Sequence, residues 1–198
     1  QLANLMPEPK YDGVLGMWYG KGPGVDRSGD IFKHANFAGV GRHGGVLAVA
    51  GDDPISKSST LPTHSEFALF DARMPILFPG SVREVIEYGR YGFELSRYCG
   101  CWVGFKIVTD VADGFSTVDV SPMVDVKRPD FTFDGQPWQH LQSPTLFVPF
   151  SLQMEREIQL GRLEAARLFA SENHLNQITV SSPQDRIGLV AAGKTYYD

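Results

Sequence analysis

The stretch Gly16-Met-Trp-Tyr-Gly-Lys-Gly-Pro-Gly-Val-Asp-Arg-Ser-Gly-Asp30 decides how the chain is read. An apolar run from Gly13 to Trp18 predicts a buried strand. It breaks into a glycine-rich turn, Gly20-Lys-Gly22-Pro23-Gly24, where little side chain stands between backbone N–H groups and a ligand. Asp26 or Ser28 then occupies a helix N-cap position, with Ile31, Ala35 and Ala38 following at helical spacing. The unit is strand, glycine loop, helix. Lys21, Asp26 and Arg27 give the loop more charge than a mere connection needs.

Downstream, the alternation continues. A glycine run, Gly39 to Gly45, leads into a strand from Gly45 to Gly51. A polar loop from Asp52 to Thr63 precedes a short helix near His64 to Asp71, and a short strand runs from Ile76 to Phe78. Ser81 caps a longer helix whose apolar face is read as Val82, Ile86, Gly89 and Phe93. Cys101 to Val108 is a strand by length and β-branched content. Repeated βα units of this size predict an α/β fold, a mostly parallel sheet with helices on both faces. Asp110 to Gln153 has no clear period, apart from a short strand at Ser116 to Val120. Helical spacing returns at Met154, Ile158, Gly161, Ala165 and Leu168, and Ile178 to Val180 and Arg186 to Ala192 read as strands.

Composition bounds the function. The 198 residues are 42% hydrophobic and 21% charged, enough for a sizeable core, and the net charge of −5 disfavours nucleic acid or an anionic membrane as partner. No apolar run approaches the ~20 residues that span a bilayer. Cys99 and Cys101 stand too close together for an unstrained bridge and are too few for a zinc or iron–sulfur site, so they read as reduced core thiols of a cytoplasmic protein. The ends, Gln1-Leu-Ala-Asn and Tyr196-Tyr-Asp198, predict an internal piece of a longer chain.

Two phosphate-loop patterns match by letter and fail by context. Gly39-Val-Gly41-Arg-His-Gly44 follows a helix and opens a strand, the reverse of a dinucleotide fingerprint. Gly188 to Thr195 has the P-loop spacing, but its middle residues are strand sequence.

In open α/β sheets ligands bind beyond the carboxyl ends of the strands. By chain order two segments lie there: Gly20 to Gly24, and Asp52-Asp-Pro-Ile-Ser-Lys-Ser-Ser-Thr-Leu-Pro-Thr-His64. The second can orient a small anionic molecule, or be a solvated loop with Ser and Thr caps. Asp52 and Asp53 suit Mg²⁺ or an ordinary turn start, and no metal ligand is assigned. His64 suits acid–base or substrate-contact work, or none. No Ser/His/Asp or Cys/His arrangement is legible.

The order of strand, Gly22-Pro23-Gly24, helix, strand and polar loop resembles the pyrimidine-binding domain of thiamine-diphosphate enzymes. Longer motifs narrow the resemblance. Tyr11-Asp-Gly-Val, Gly16 to Asp30, Lys33-His-Ala-Asn36, Arg42-His-Gly-Gly-Val-Leu-Ala48, Gly51-Asp-Asp53, Lys57-Ser-Ser-Thr-Leu-Pro62, Ser96-Arg-Tyr98 and Cys101-Trp-Val-Gly-Phe-Lys106 are similar to the long fused type of indolepyruvate ferredoxin oxidoreductase. Gly193-Lys-Thr-Tyr196 resembles the start of that family's next domain.

The resemblance implies an oxidoreductase that decarboxylates 2-oxo acids, typically aryl pyruvates such as indolepyruvate, to acyl-CoA and passes electrons through iron–sulfur clusters to ferredoxin. It implies thiamine diphosphate as cofactor, with the Mg²⁺ site and the clusters elsewhere in a longer, homodimeric parent. Gly22, Pro23 and Gly24 inherit the pyrimidine contact; Lys57, Ser58, Ser59 and His64 inherit a substrate- or CoA-side role. The glutamate that activates the pyrimidine is expected upstream, so no catalytic residue is assigned and this segment by itself is expected to be inactive. The fold expected is the pyrimidine domain, incomplete at both ends: residues 1–120 form that domain, 121–153 an irregular excursion, 154–183 a helix and linker, and 184–198 the start of a second α/β domain. The chain departs from the family's pattern at Asp53-Pro-Ile-Ser56, Pro62-Thr-His64 and Asp113-Gly114-Phe115, which bears on substrate choice more than on cofactor. The rival reading is a scaffold or interaction domain that kept the fold without the chemistry, and a missing upstream glutamate would favour it.

Overall fold

The computed structural model describes residues 14–121, 125–140 and 145–198. The Tyr11-Asp-Gly part of the first motif, and with it the predicted strand start at Gly13, lies outside the described residues. Strand β1 (Val14–Tyr19) leads into helices α1 (Gly22–Arg27) and α2 (Gly29–Ala38), then β2 (Gly45–Asp52), α3 (Glu66–Asp71) and β3 (Ile76–Leu77). Helix α4 (Val82–Cys99), β4 (Val103–Val108) and the short α5 (Thr109–Ala112) complete this part.

All pairings in the four-stranded sheet are parallel, in the order β1-β2-β4-β3. Val14 stands opposite Gly45 and Tyr19 opposite Ala50, while Leu47 faces Val103 and Asp52 faces Val108. Alternation along β2 splits the core between the two faces. Val46, Ala48 and Ala50 pack with Val25 and Phe32 of the first helices and Leu69 of α3. Leu47 packs on the other face with Leu95 of α4 and with Ala165 and Phe169 of a C-terminal helix. Helices thus cover both faces, as the βα alternation predicts. Cys99 and Cys101 are buried free thiols.

Two helix faces differ from the pattern reading. In α4 the fully buried residues are Gly92, Leu95, Ser96 and Cys99, while Ile86 is exposed. In α2 they are Phe32 and Asn36, and Ile31 is exposed. The true inward positions include small and polar residues whose polar groups are satisfied. Asn36 donates to the carbonyls of Ala72 and Arg73 and accepts from the Trp102 amide. Ser96 accepts from the Val46 amide and donates to the Cys101 carbonyl. Glycine ends both helices: Gly39 at φ 82° and Gly100 at φ 83° adopt conformations that a side chain disfavours.

Beyond α5 the strand expected at Ser116 to Val120 is absent; those residues are irregular. A small antiparallel hairpin, β5 (Thr132–Phe133) with β6 (Gln136–Pro137), stands instead within the irregular excursion. Its Trp138 donates to the Tyr98 carbonyl and packs beside Gly161. The C-terminal helical stretch runs through α6 (Phe150–Glu157), a π turn (Ile158–Arg162) and α7 (Leu163–Glu172). It buries Met154, Ile158, Gly161 and Ala165 as the spacing predicts, but the last inward position is Phe169, and Leu168 is only half-buried.

The two strands expected at 178–180 and 186–192 do not form; the chain there is irregular. Ile178, Val180, Ile187, Leu189 and Val190 are exposed, so strand-like composition found no neighbour to pair with. Only the short α8 (Lys194–Tyr197) follows, held by a hydrogen bond from the Tyr197 hydroxyl to Glu84. No helix among the described residues is long and apolar enough to cross a membrane.

Candidate functional site

Because β1 and β2 are parallel neighbours, their carboxyl ends deliver Gly20–Gly24 and Asp52–His64 to the same end of the sheet. A cleft of about 610 Å³ lies between these segments. Gly22, Pro23, Ser58, Ser59 and His64 line it, with Lys21, Asp26, Leu61 and Phe67. The structure therefore brings together five of the seven residues singled out by resemblance. Gly24 and Lys57 lie off this lining.

The glycine-proline-glycine sequence is not the open loop expected from its composition. It forms the first turn of α1, with Lys21 as N-cap and proline at the start, where a missing N–H costs nothing. The two glycines differ in their surroundings. A Cβ on Gly22 would stand 2.9 Å from the Cβ of Thr63, whereas one on Gly24 would meet nothing within 4 Å. Close approach of the two cleft walls thus depends on Gly22.

Asp52 and Asp53 hold the long loop in place. The Asp53 carboxylate accepts from the backbone amides of Lys57 at 2.8 Å and Ser58 at 2.7 Å. Its own amide donates to Thr63 Oγ1 and its carbonyl accepts from the Thr63 amide. The Asp52 carboxylate accepts from the Ser65 amide at 2.8 Å and hydroxyl at 2.5 Å, fixing the start of α3. Both carboxylates are thus engaged by the chain's own donors. The Ser58 amide is the main cause that holds the Asp53 carboxyl below its ordinary range, against the opposing effect of burial. A depressed folded pKa means that the latch is fully present above the unfolded value of 3.8 and is lost as pH falls through the lower folded value. Asp53→Asn removes the charge at neutral pH, so trypsin is expected to cut after Lys57 faster in the variant; an unchanged rate would contradict the latch.

Lys57 turns away from the cleft and pairs with Asp113 at 2.5 Å, whose hydrogen bond raises the lysine's pKa. His64 packs edge-on against Phe67, with ring centres 5.5 Å apart.

Sequence reasoning missed a charged cluster beneath the loop. Lys106, buried within β4, lies 3.5 Å from Asp52, pairs with Glu66 and sits 4.5 Å above the Phe78 ring. Burial is the largest single influence on Glu66 and raises its pKa, but the Lys106 hydrogen bond, the residue's own amide and the Lys106 charge act together to hold the carboxyl low. The available signal was a lysine inside the apolar strand Val103–Val108, where a buried charge requires a partner.

Chemically, the cleft offers an ammonium, four neighbouring hydroxyls, an imidazole and apolar surface from Pro23, Leu61, Pro62 and Phe67. Such a mixture binds and orients a partly apolar, partly anionic molecule. Among the described residues, no group of three His, Cys, Asp or Glu side chains is placed to hold a metal ion.

The chain is similar to curated proteins called indolepyruvate oxidoreductase subunit IorA. The Archaeoglobus fulgidus protein is 25% identical over 81% of this chain, and the Methanothermobacter thermautotrophicus protein 26% identical over 93%. That of Pyrococcus abyssi is also 26% identical over 93%. The chain spans only 25% to 28% of the length of these relatives. No protein-family model and no solved structure matches it.

Proposed function

We propose, taking as premise that the chain is a distant relative of the IorA indolepyruvate oxidoreductase subunits, that it is part of a thiamine-diphosphate-dependent 2-oxoacid:ferredoxin oxidoreductase. The parent oxidatively decarboxylates aryl pyruvates such as indolepyruvate to acyl-CoA, with ferredoxin as electron acceptor. It acts in the cytoplasm as a homodimer, with Mg²⁺ and the iron–sulfur clusters held outside this segment.

The observation that carries the reading is the convergence of Gly22 and Pro23 with Ser58, Ser59 and His64 on one cleft at the carboxyl end of a parallel sheet. The residues fit the pyrimidine end of the cofactor. Gly22 leaves the wall free of side chain beside Thr63, and Pro23, Leu61 and Phe67 supply apolar surface for a flat ring. Gly22 and Pro23 would hold the ring; Gly24 lies off the cleft lining, and a Cβ there would meet no protein atom within 4 Å. When bound, thiamine diphosphate supplies the carbanion and the electron sink that decarboxylation needs. Ser58, Ser59 and His64 orient the substrate or CoA side, held there by Asp53 and Asp52.

The test uses the full-length parent, purified without oxygen and supplied with an aryl pyruvate, CoA, Mg²⁺ and thiamine diphosphate. Reduction of a viologen dye that requires both CoA and thiamine diphosphate is the expected result. No reduction with aryl or aliphatic 2-oxo acids, despite intact clusters and bound cofactor, would favour the scaffold reading.

A further inference from the structure

Among the described residues, Lys21 differs from four other lysines in the kind of partner it has. Lys33, Lys57, Lys106 and Lys194 each pair with a carboxylate. The half-buried Lys21 instead donates to a neutral acceptor, the Ser58 carbonyl, although Asp26 lines the same cleft. An ammonium has three donors, so this one bond leaves capacity for more.

The surroundings favour an oxyanion. The hydroxyls of Ser58, Ser59, Thr60 and Thr63 and the His64 ring share the lining with Lys21. The Ser59 hydroxyl is shielded from solvent and has no hydrogen-bond partner, an unusual state for a polar atom at a cleft wall. Thr63 Oγ1 accepts from the Asp53 amide, which leaves its proton able to donate elsewhere.

We propose that Lys21, with Ser59 and Thr63 beside it, forms an oxyanion subsite of this cleft, taking a carboxylate or phosphoryl oxygen of the bound molecule. The proposal deepens the thiamine-diphosphate reading and rests on it for its probes. The anion is the carboxylate of a 2-oxo acid or a phosphate of CoA.

Amine labelling of the full-length parent, read residue by residue by mass spectrometry, separates these sources. Phenylpyruvate, thiamine diphosphate with Mg²⁺, and CoA are each added alone at saturation. Phenylpyruvate or CoA is expected to slow labelling of Lys21 by about fivefold or more, leaving the exposed Lys127 unchanged. Lys21→Met should weaken that same ligand about tenfold or more, with the other two constants unmoved, and Lys21→Arg should restore most of the loss. Binding of all three ligands without protection of Lys21, or a Lys21→Met protein with three unchanged constants, would overturn the subsite. If the parent binds none of them, it is the functional reading that fails. Labelling with benzoate and inorganic pyrophosphate then decides the subsite separately: protection of Lys21 by either supports it, and protection by neither removes it.

Discussion

Replacing Arg162 with methionine is expected to cost the fold about 3–5 kcal/mol, because it breaks a buried ion pair. The guanidinium is fully buried, and its Nε donates to Glu157 Oε1 at 2.6 Å. Its Nη1 donates to the carbonyl of Asn36 at 3.1 Å, with those of Phe37 and Gly100 at 3.4 Å. One side chain therefore caps the carboxyl ends of α2 and α4, where a cation is favoured by both helix dipoles. The π turn makes the pairing work. In an α-helix, residues five apart point about 140° away from each other. The wider turn at Ile158–Arg162 brings Glu157 and Arg162 onto one face. Native-state amide exchange of β2 and β4 in the parent should report the loss directly. A double variant, Arg162→Met with Glu157→Leu, should recover much of it by replacing the buried carboxylate with an apolar side chain. Equal exchange in wild type and Arg162→Met would refute the account of this pair.

Gly22→Val should lower turnover of the parent by about 100-fold, the scale on which a displacement of one ångström acts at a reacting centre. The new side chain would have to displace Thr63, whose amide and hydroxyl are tied to Asp53, so the loop bearing Ser58, Ser59 and His64 must shift as well. Gly24→Ala meets open space and should leave turnover within about threefold. Steady-state rates of the two variants check this. Equal losses at Gly22 and Gly24 would mean that the contact with Thr63 is not what matters.

The sheet and its layers were legible because apolar runs bounded by glycine mark buried parallel strands with little ambiguity. The helix faces were harder to read. Ile86 and Ile31 look like core residues and are exposed, while Gly92, Ser96 and Asn36 look neutral and are buried. Hydropathy cannot register a polar group that is satisfied by a carbonyl far along the chain. The 178–192 segment failed for the opposite reason: β-branched composition makes a strand only where a partner strand is present. Chain order placed the two cleft-forming segments together, since parallel neighbours share a carboxyl end. The Asp53 latch, the Lys106 cluster and the Lys21–Ser58 bridge were not legible, because each joins residues whose proximity the fold creates.

Hydrogen–deuterium exchange of the full-length parent, with and without thiamine diphosphate and Mg²⁺, tests most directly whether both segments meet one cofactor-containing site. Protection of residues 20–24 together with 57–64 on cofactor addition is the predicted result. Saturable binding that protects neither segment would contradict the assignment of this cleft to the cofactor.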